Sequence, residues 1–515
     1  MTIHSAVVDG VPVRWTEQPG RFAASLVFRC GVRDETFGTA GITHLVEHLA
    51  FAAIPVPDHE FNGQVALGIT EFTFEGAPGE VARSLAAVCG SLSALAEGRI
   101  DEPMLARERA VLEAEGRTTP IPAEIAEALS NHYGLAGPGL AAVEEKYLDR
   151  LTAADVSRHA AEYFTRGNAV LVCTAAPPAG LRLPLPEGPR RPLRAAARVV
   201  ARGPAEYASG GTQLVLSFQV PGDQDDTAGI APLVCRTLER RIHEGLRRRD
   251  GLVYGAACSG VTVDDHSGLM VATIDVAPRN AAEAAGRVID ELRSLRDAGI
   301  SPEEARRAAV RLASDRAEPG AEQDDAYQTA VAELCGQRPW RWDDVAAAVR
   351  NYTPALTASL LADLDSTLLV GLPAEAIPED VDARTGVVFP PRRTEEKTHV
   401  QGRTYKRGLM ARFAGVPEDT RLVVGEEGLV LTLLGETTAM PWEAIVGLER
   451  EPIAGGAEGI TLYTRDAFQL GFVSAWFRRG DDAVTQIRSA VPERLQCIAS
   501  PGAIENPRGS SHATS

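Results

Sequence analysis

The sequence predicts an α+β class of fold: two similar α/β units in tandem, followed by a smaller β-rich unit. Three observations predict it. Strand, helix and strand signals run in one order over residues 1–175 and recur over 207–373. Pro-rich stretches at 176–206 and 374–398 separate these spans from each other and from the C-terminal region. In that region, over 399–497, the pattern changes to short apolar runs broken by Gly and polar pairs, and a polar tail at 498–515 is expected to be disordered.

The first unit opens on two expected strands, 7–15 and 23–32, joined through a Gln18-Pro19-Gly20 turn. Residues 31–41 then lead to Thr43, an expected N-cap, and to a helix carrying His44-Leu45-Val46-Glu47-His48. Four apart on a helix, His44 and His48 share a face one turn apart. That spacing suits two nitrogen ligands on one tetrahedral zinc. Glu47 falls near the same face and can reach a water beside the metal without being a ligand. Two ordinary surface histidines are the other reading of so short a motif. A strand is expected over 69–75, and a helix over 102–116 carries Glu108 and Glu115 nearly in line. Zinc on two imidazoles needs a third protein ligand, and either glutamate could supply it. With Arg107, Arg109 and Glu113 beside them, both also fit a solvated charged helix. A buried strand over 169–173 closes the unit, and 177–204 reads as an exposed tether.

These segments resemble the M16 metallopeptidase family, the insulinase-like group with an inverted H-x-x-E-H zinc motif. The run Gly41-Ile42-Thr43-His44-Leu45-Val46-Glu47-His48-Leu49-Ala50-Phe51 looks like that family's zinc helix, and the stretch from Glu108 to Glu115 looks like its second acidic helix. The resemblance implies that His44, His48 and Glu115 hold zinc, that Glu108 supports and orients the site, and that Glu47 is the general base. Thr152 to Val156, Tyr163-Phe164 and the strand at 169–173 are similar to the close of the family's first domain. In the second half, Arg247 and Tyr254 resemble the family's other signature, an Arg and a Tyr that approach the substrate near the scissile bond. A guanidinium and a phenol there donate hydrogen bonds to a carbonyl oxygen gaining charge. The resemblance spans residues 5–373. Two departures bear on substrate choice. Segment 52–64 is too short and Pro-rich for the helix the family has there. Val65-Ala66 stand where the family favours Asn-Ala on the strand lining the substrate, with Glu71 and Thr73 following as expected.

The second unit reads as a strand at 212–220, a helix at 232–246, a strand at 269–276, a helix at 281–298, further helices and a closing strand at 366–371. In the third, 421–434 reads as a hairpin about Gly425-Glu426-Glu427-Gly428, followed by strands at 440–446, 459–464 and 468–477. An amphipathic helix at 481–491 sets Ala483, Val484, Ile487 and Val491 on one side. This pattern, with its Pro441-Trp442-Glu443 run, resembles the bacterial pleckstrin-homology-like fold.

The chain has 515 residues, 44% of them hydrophobic, ample for ordinary cores. A formal charge of −18 argues against nucleic acid as a main partner and suits a cavity that draws basic peptides. Seven scattered cysteines, none in a C-x-x-C pair, are expected as buried free thiols of a reducing compartment. No basic start precedes an apolar run, and no stretch of about 18 apolar residues occurs, so a cytoplasmic chain without a transmembrane segment is expected. His4, His59, His132, His159, His243, His266, His399 and His512 have no ligand-like neighbours in sequence and read as surface or satisfied histidines.

The function these features imply is zinc-dependent endopeptidase action, one zinc per chain, on peptides or small unfolded segments in an enclosed chamber. The resembled family builds its chamber from four such domains, and this chain supplies two. A homodimer is therefore implied, or a heterodimer with another M16-like subunit. The alternative is a non-catalytic M16-like scaffold or peptide-binding subunit.

Overall fold

The computed structural model describes residues 3–115, 121–145, 147–199, 205–222, 228–316, 321–339, 342–373, 376, 400–413, 415–453 and 456–498. The expected linker at 374–398 (but for Ala376) and nearly all of the expected tail lie outside the described residues. The chain divides into two units, one of residues 1–35, 41–143 and 151–390, the other of residues 36–40, 144–150 and 391–515.

The first unit begins with β1 (His4–Val8) and β2 (Val11–Trp15). The single strand expected over 7–15 is thus a hairpin. Asp9 and Gly10 both take positive φ, 48° and 86°, the turn that an Asp-Gly pair favours between antiparallel strands. Then come β3 (Phe22–Phe28), α1 (Ile42–Ala52), β4 (Glu60–Val65), β5 (Thr70–Gly76), α2 (Pro78–Ala96), α3 (Glu102–Glu115), α4 (Ala123–Tyr133), α5 (Ala153–Tyr163) and β6 (Ala169–Cys173). The sheet order is β1-β2-β6-β3-β5-β4, which leaves β4 at an edge beside α1.

The stretch expected as an exposed tether is packed down instead. Leu181, Leu183 and Leu185 alternate with polar and Pro residues, and all three are buried. Arg190 Nε donates to the Leu334 carbonyl at 2.8 Å, and the Arg191 amide donates to Asn168 Oδ1 at 2.9 Å.

The second half of this unit has β7 (Ala205–Ala208), β8 (Leu214–Pro221) and α6 (Ala231–Ile242), which runs into a π-helical turn, His243–Arg249. It continues with β9 (Val253–Thr262), β10 (Ser267–Val276), α7 (Ala281–Ala298), α8 (Pro302–Arg316), α9 (Ala321–Cys335), α10 (Trp342–Arg350), α11 (Pro354–Leu360), α12 (Leu364–Thr367) and β11 (Leu369–Leu372). The sheet order is β7-β11-β8-β10-β9, so β9 is an edge. Leu216, Phe218, Leu238, Val288 and Leu292 join this sheet to α6 and α7 in one core. Two helices cross over between the halves. On α4, Leu129 and Tyr133 pack with Val215, Leu269 and Val271 of the second sheet. On α9, Ala330 and Leu334 pack with Val27, Val170 and Val172 of the first.

The second unit contains β12 (Gly402–Lys406), α13 (Leu409–Phe413), β13 (Arg421–Gly425), β14 (Gly428–Leu433), β15 (Glu436–Pro441), β16 (Ile445–Ile453), β17 (Ala457–Thr464), β18 (Gln469–Val473), α14 (Gly480–Ala490) and β19 (Gln496–Ile498). They form two four-stranded sheets, β12-β13-β14-β15 and β18-β17-β16-β19. The strand expected over 440–446 is split. Pro441 has no N–H for the ladder, a short turn follows at Trp442–Ala444, and β16 begins at Ile445. Ala483, Val484, Ile487 and Val491 close the core against Leu422, Leu431, Leu448 and Leu462. Among the described residues, no helix is long and apolar enough to cross a membrane.

Candidate metal centre

Helix α1 is capped differently from the expectation. Its N-cap is Gly41, in the left-handed region at φ 93°, and Thr43 lies inside the first turn. The cap comes from Glu35, whose buried carboxylate accepts the Gly41 amide at 2.9 Å and the Thr43 amide at 3.0 Å. An acid at this end satisfies two orphan donors and complements the helix dipole. The Thr43 hydroxyl lies 3.1 Å from His159 Nε2, so His159 is a satisfied core histidine, as expected.

One turn of α1 brings the His44 and His48 rings edge to face, with centroids 4.8 Å apart. His44, Glu47 and His48 each offer a ligand atom within 4.8 Å of the others. His44 Nε2 lies 3.8 Å from Glu47 Oε2, and both residues are buried. Helix α3 packs beside α1 and supplies both expected carboxylates. Glu115 Oε2 lies 3.4 Å from His48 Nε2, and Glu108 Oε2 lies 3.5 Å from His48 Nδ1. Buried Glu108 also accepts from Arg107 Nε at 2.9 Å.

These separations have a chemical meaning. A charge-assisted N–H···O bond measures about 2.7–2.9 Å. Two ligand atoms about 2.1 Å from one tetrahedral zinc stand about 3.4 Å apart. The Glu115–His48 distance fits the second geometry better than the first. Burial, and then the neighbouring His44, hold the His48 pKa below its ordinary value. The neutral ring that results is the form that binds a metal. Glu108 Oε2, 3.5 Å from the other ring nitrogen, stands where a carboxylate can fix such a ring on a closer approach.

A residue that sequence reasoning missed is Gly63. A Cβ at this position on β4 would lie 1.9 Å from Glu47 Oε1, so the strand passes against the carboxylate only because no side chain is there. A lone Gly within Glu60-Phe61-Asn62-Gly63-Gln64-Val65 is the signal, once that polar run is recognised as an edge strand. Val65 pairs with Thr70 at the end of β4, and Ala66 follows in the turn.

Arg247 and Tyr254 stand apart from this cluster. Arg247 is exposed on the π-helical turn, and Tyr254 is 64% exposed near the start of β9. Among the described residues, no hydrogen bond or ion pair joins either to His44, Glu47, His48, Glu108 or Glu115.

Residues 185–312 match the family model described as the peptidase M16 inactive domain. A comparison with curated proteins finds no match. Among solved structures, the peptidase M16 inactive domain from Pseudomonas fluorescens superposes with a TM-score of 0.59 at 17% identity, over 73% of this chain and 99% of that one. A protease from Helicobacter pylori gives 0.57 at 14% identity, over 72% and 99%. The periplasmic protease PqqL from Escherichia coli gives 0.57 at 13% identity, over 84% of this chain and 55% of that one, so the chain spans about half of PqqL. At these identities the likeness is one of fold, the mixed α+β arrangement of M16 peptidase domains.

Proposed function

We propose that the chain is a zinc-dependent endopeptidase in which His44, His48 and Glu115 hold the metal and Glu47 is the general base. The observation that carries this reading is Glu115 Oε2 of α3 at 3.4 Å from His48 Nε2, with the His44 ring beside that of His48 on α1. Two imidazoles and one carboxylate are a zinc donor set that leaves a position open. A zinc ion there supplies Lewis acidity, which makes water acidic near neutral pH and polarises a peptide carbonyl. Glu47 accepts the proton of the attacking water and returns it to the leaving amine. Glu108 fixes the His48 ring through Nδ1. Arg247 and Tyr254 donate to the carbonyl oxygen as it gains charge. Both are exposed here, which suits a chamber completed by a second subunit, in a homodimer or a heterodimer with another M16-like chain. Peptides or small unfolded segments would bind extended, as an added strand along the edge of β4.

The test is metal analysis with peptide cleavage. The purified chain is expected to carry about one zinc and to cut a mixed peptide library, with activity lost on chelation and restored by zinc. Glu47→Gln is expected to keep the metal and lower kcat by about 10²–10⁴-fold.

The match of residues 185–312 to a model described as inactive favours a second reading, a non-catalytic M16-like scaffold or peptide-binding subunit. The proposed ligands and base lie outside those residues. A zinc-free chain that binds peptides without cutting them would decide for the scaffold.

A further inference from the structure

We propose that Cys235 and Cys258 are a redox-sensitive pair that closes into a reversible disulfide, tying the edge strand β9 to α6. This stands apart from the peptidase reading. The two sulfurs lie 3.1 Å apart, one on the helix and one on the strand packed beneath it. Among the described residues no other two sulfurs touch, and all seven cysteines are free thiols. A disulfide bond measures about 2.05 Å, so the sulfurs need to approach by about 1 Å. β9 can yield that movement, because it is paired on one side only.

The pair can be reached. Both cysteines line a cavity of about 430 Å³ together with Arg236, Met270 and Arg338, and Cys258 is only half-buried. It is also held in register, since the Cys258 amide donates to Glu239 Oε1 at 2.8 Å while Arg236 pairs with Glu239 at 3.0 Å. The hydrogen bond to Cys235, then burial, push the Cys258 thiol well above its ordinary pKa. A Cys258 thiol held protonated oxidises slowly, which suits a response to sustained oxidant and not a catalytic thiol.

With hydrogen peroxide as oxidant, the more accessible Cys258 sulfur loses its proton and attacks one peroxide oxygen. The O–O bond breaks, one water leaves, and a sulfenic acid remains on Cys258. Cys235 sulfur then displaces the second oxygen as water, forming the S–S bond. Two thiols have lost two hydrogens and one peroxide has become two waters. A dithiol such as dithiothreitol reverses the change. The bond would fix, relative to α6, the strand that begins beside Tyr254.

The experiment is peptide mapping of the full-length wild-type chain after peroxide treatment, thiol blocking and digestion. One linked pair of peptides holding Cys235 and Cys258 is expected, lighter by two hydrogens than the two thiol peptides together and absent after dithiothreitol. The other five cysteines should be recovered as blocked thiols. Recovery of Cys235 and Cys258 as blocked thiols, at a dose that fully oxidises a control dithiol, would overturn the proposal. So would their recovery as unlinked sulfinic acids, or linkage of either to another cysteine. Because the map is read on the wild-type chain, the result does not depend on a variant that folds.

Discussion

Gly63 shows how one missing side chain sets the position of a candidate base. A Cβ there would approach Glu47 Oε1 to 1.9 Å and Phe51 Cε2 to 2.8 Å. The Phe51 ring is held by Phe61, Phe72 and Phe74, so the carboxylate is the group that must give way. Gly63→Ala should therefore displace Glu47 and leave His44, His48 and Glu115 in place. An ångström of misplacement can cost about 10²-fold in rate. The expected outcome is unchanged zinc content with peptide cleavage reduced by about that factor, read by metal analysis beside steady-state kinetics. Loss of both together would count against a local effect on the base.

At the level of elements, the two crossing helices decide how the halves depend on each other. Every residue of β6 is buried, and α9 packs against one of its faces through Ala330 and Leu334. Leu334→Ala should cost about 2–5 kcal/mol by leaving a cavity. Its effect should appear far along the chain, as faster amide exchange in β3 and β6. Faster exchange confined to α8 and α10 would show that the halves are stable separately. This crossing could not be read from the sequence, because periodicity marks an apolar face without saying which sheet covers it. The helix α7, the strand β6 and the buried side of α14 were legible, since each rests on spacing within one segment. So was the gathering of His44, Glu47 and His48, and of Glu108 and Glu115, because a helix fixes which residues share a face. The Asp9-Gly10 hairpin was also written in the residues but is overshadowed by the apolar run around it. β4 was not, because a polar edge strand looks like a loop. Glu35 and Gly63 matter through proximity across the chain, which no local pattern records.

For the first unit as a whole, acid should loosen the seam between its halves. His132 lies on α4 with Nε2 3.1 Å from Ser217 Oγ on β8, so it joins a first-half helix to the second-half sheet. Burial, and then Arg198, push its pKa down to about 3, and burial does the same to His159 on α5. In an unfolded chain each titrates at about 6.5. A folded pKa below the unfolded one means that the stabilisation is fully present above about pH 6.5. It is lost as pH falls from there toward about 3, because the unfolded chain binds more protons in that window. At pH 5 each histidine gives up about 2 kcal/mol, so the pair contributes about 4. Urea unfolding should therefore show a midpoint that drops between pH 7 and pH 5. His132→Asn, which can still donate to Ser217, should remove about half of that drop with little change in m-value. An equal drop in wild type and variant would mean that acid acts elsewhere, and that this seam does not set the acid limit of the fold.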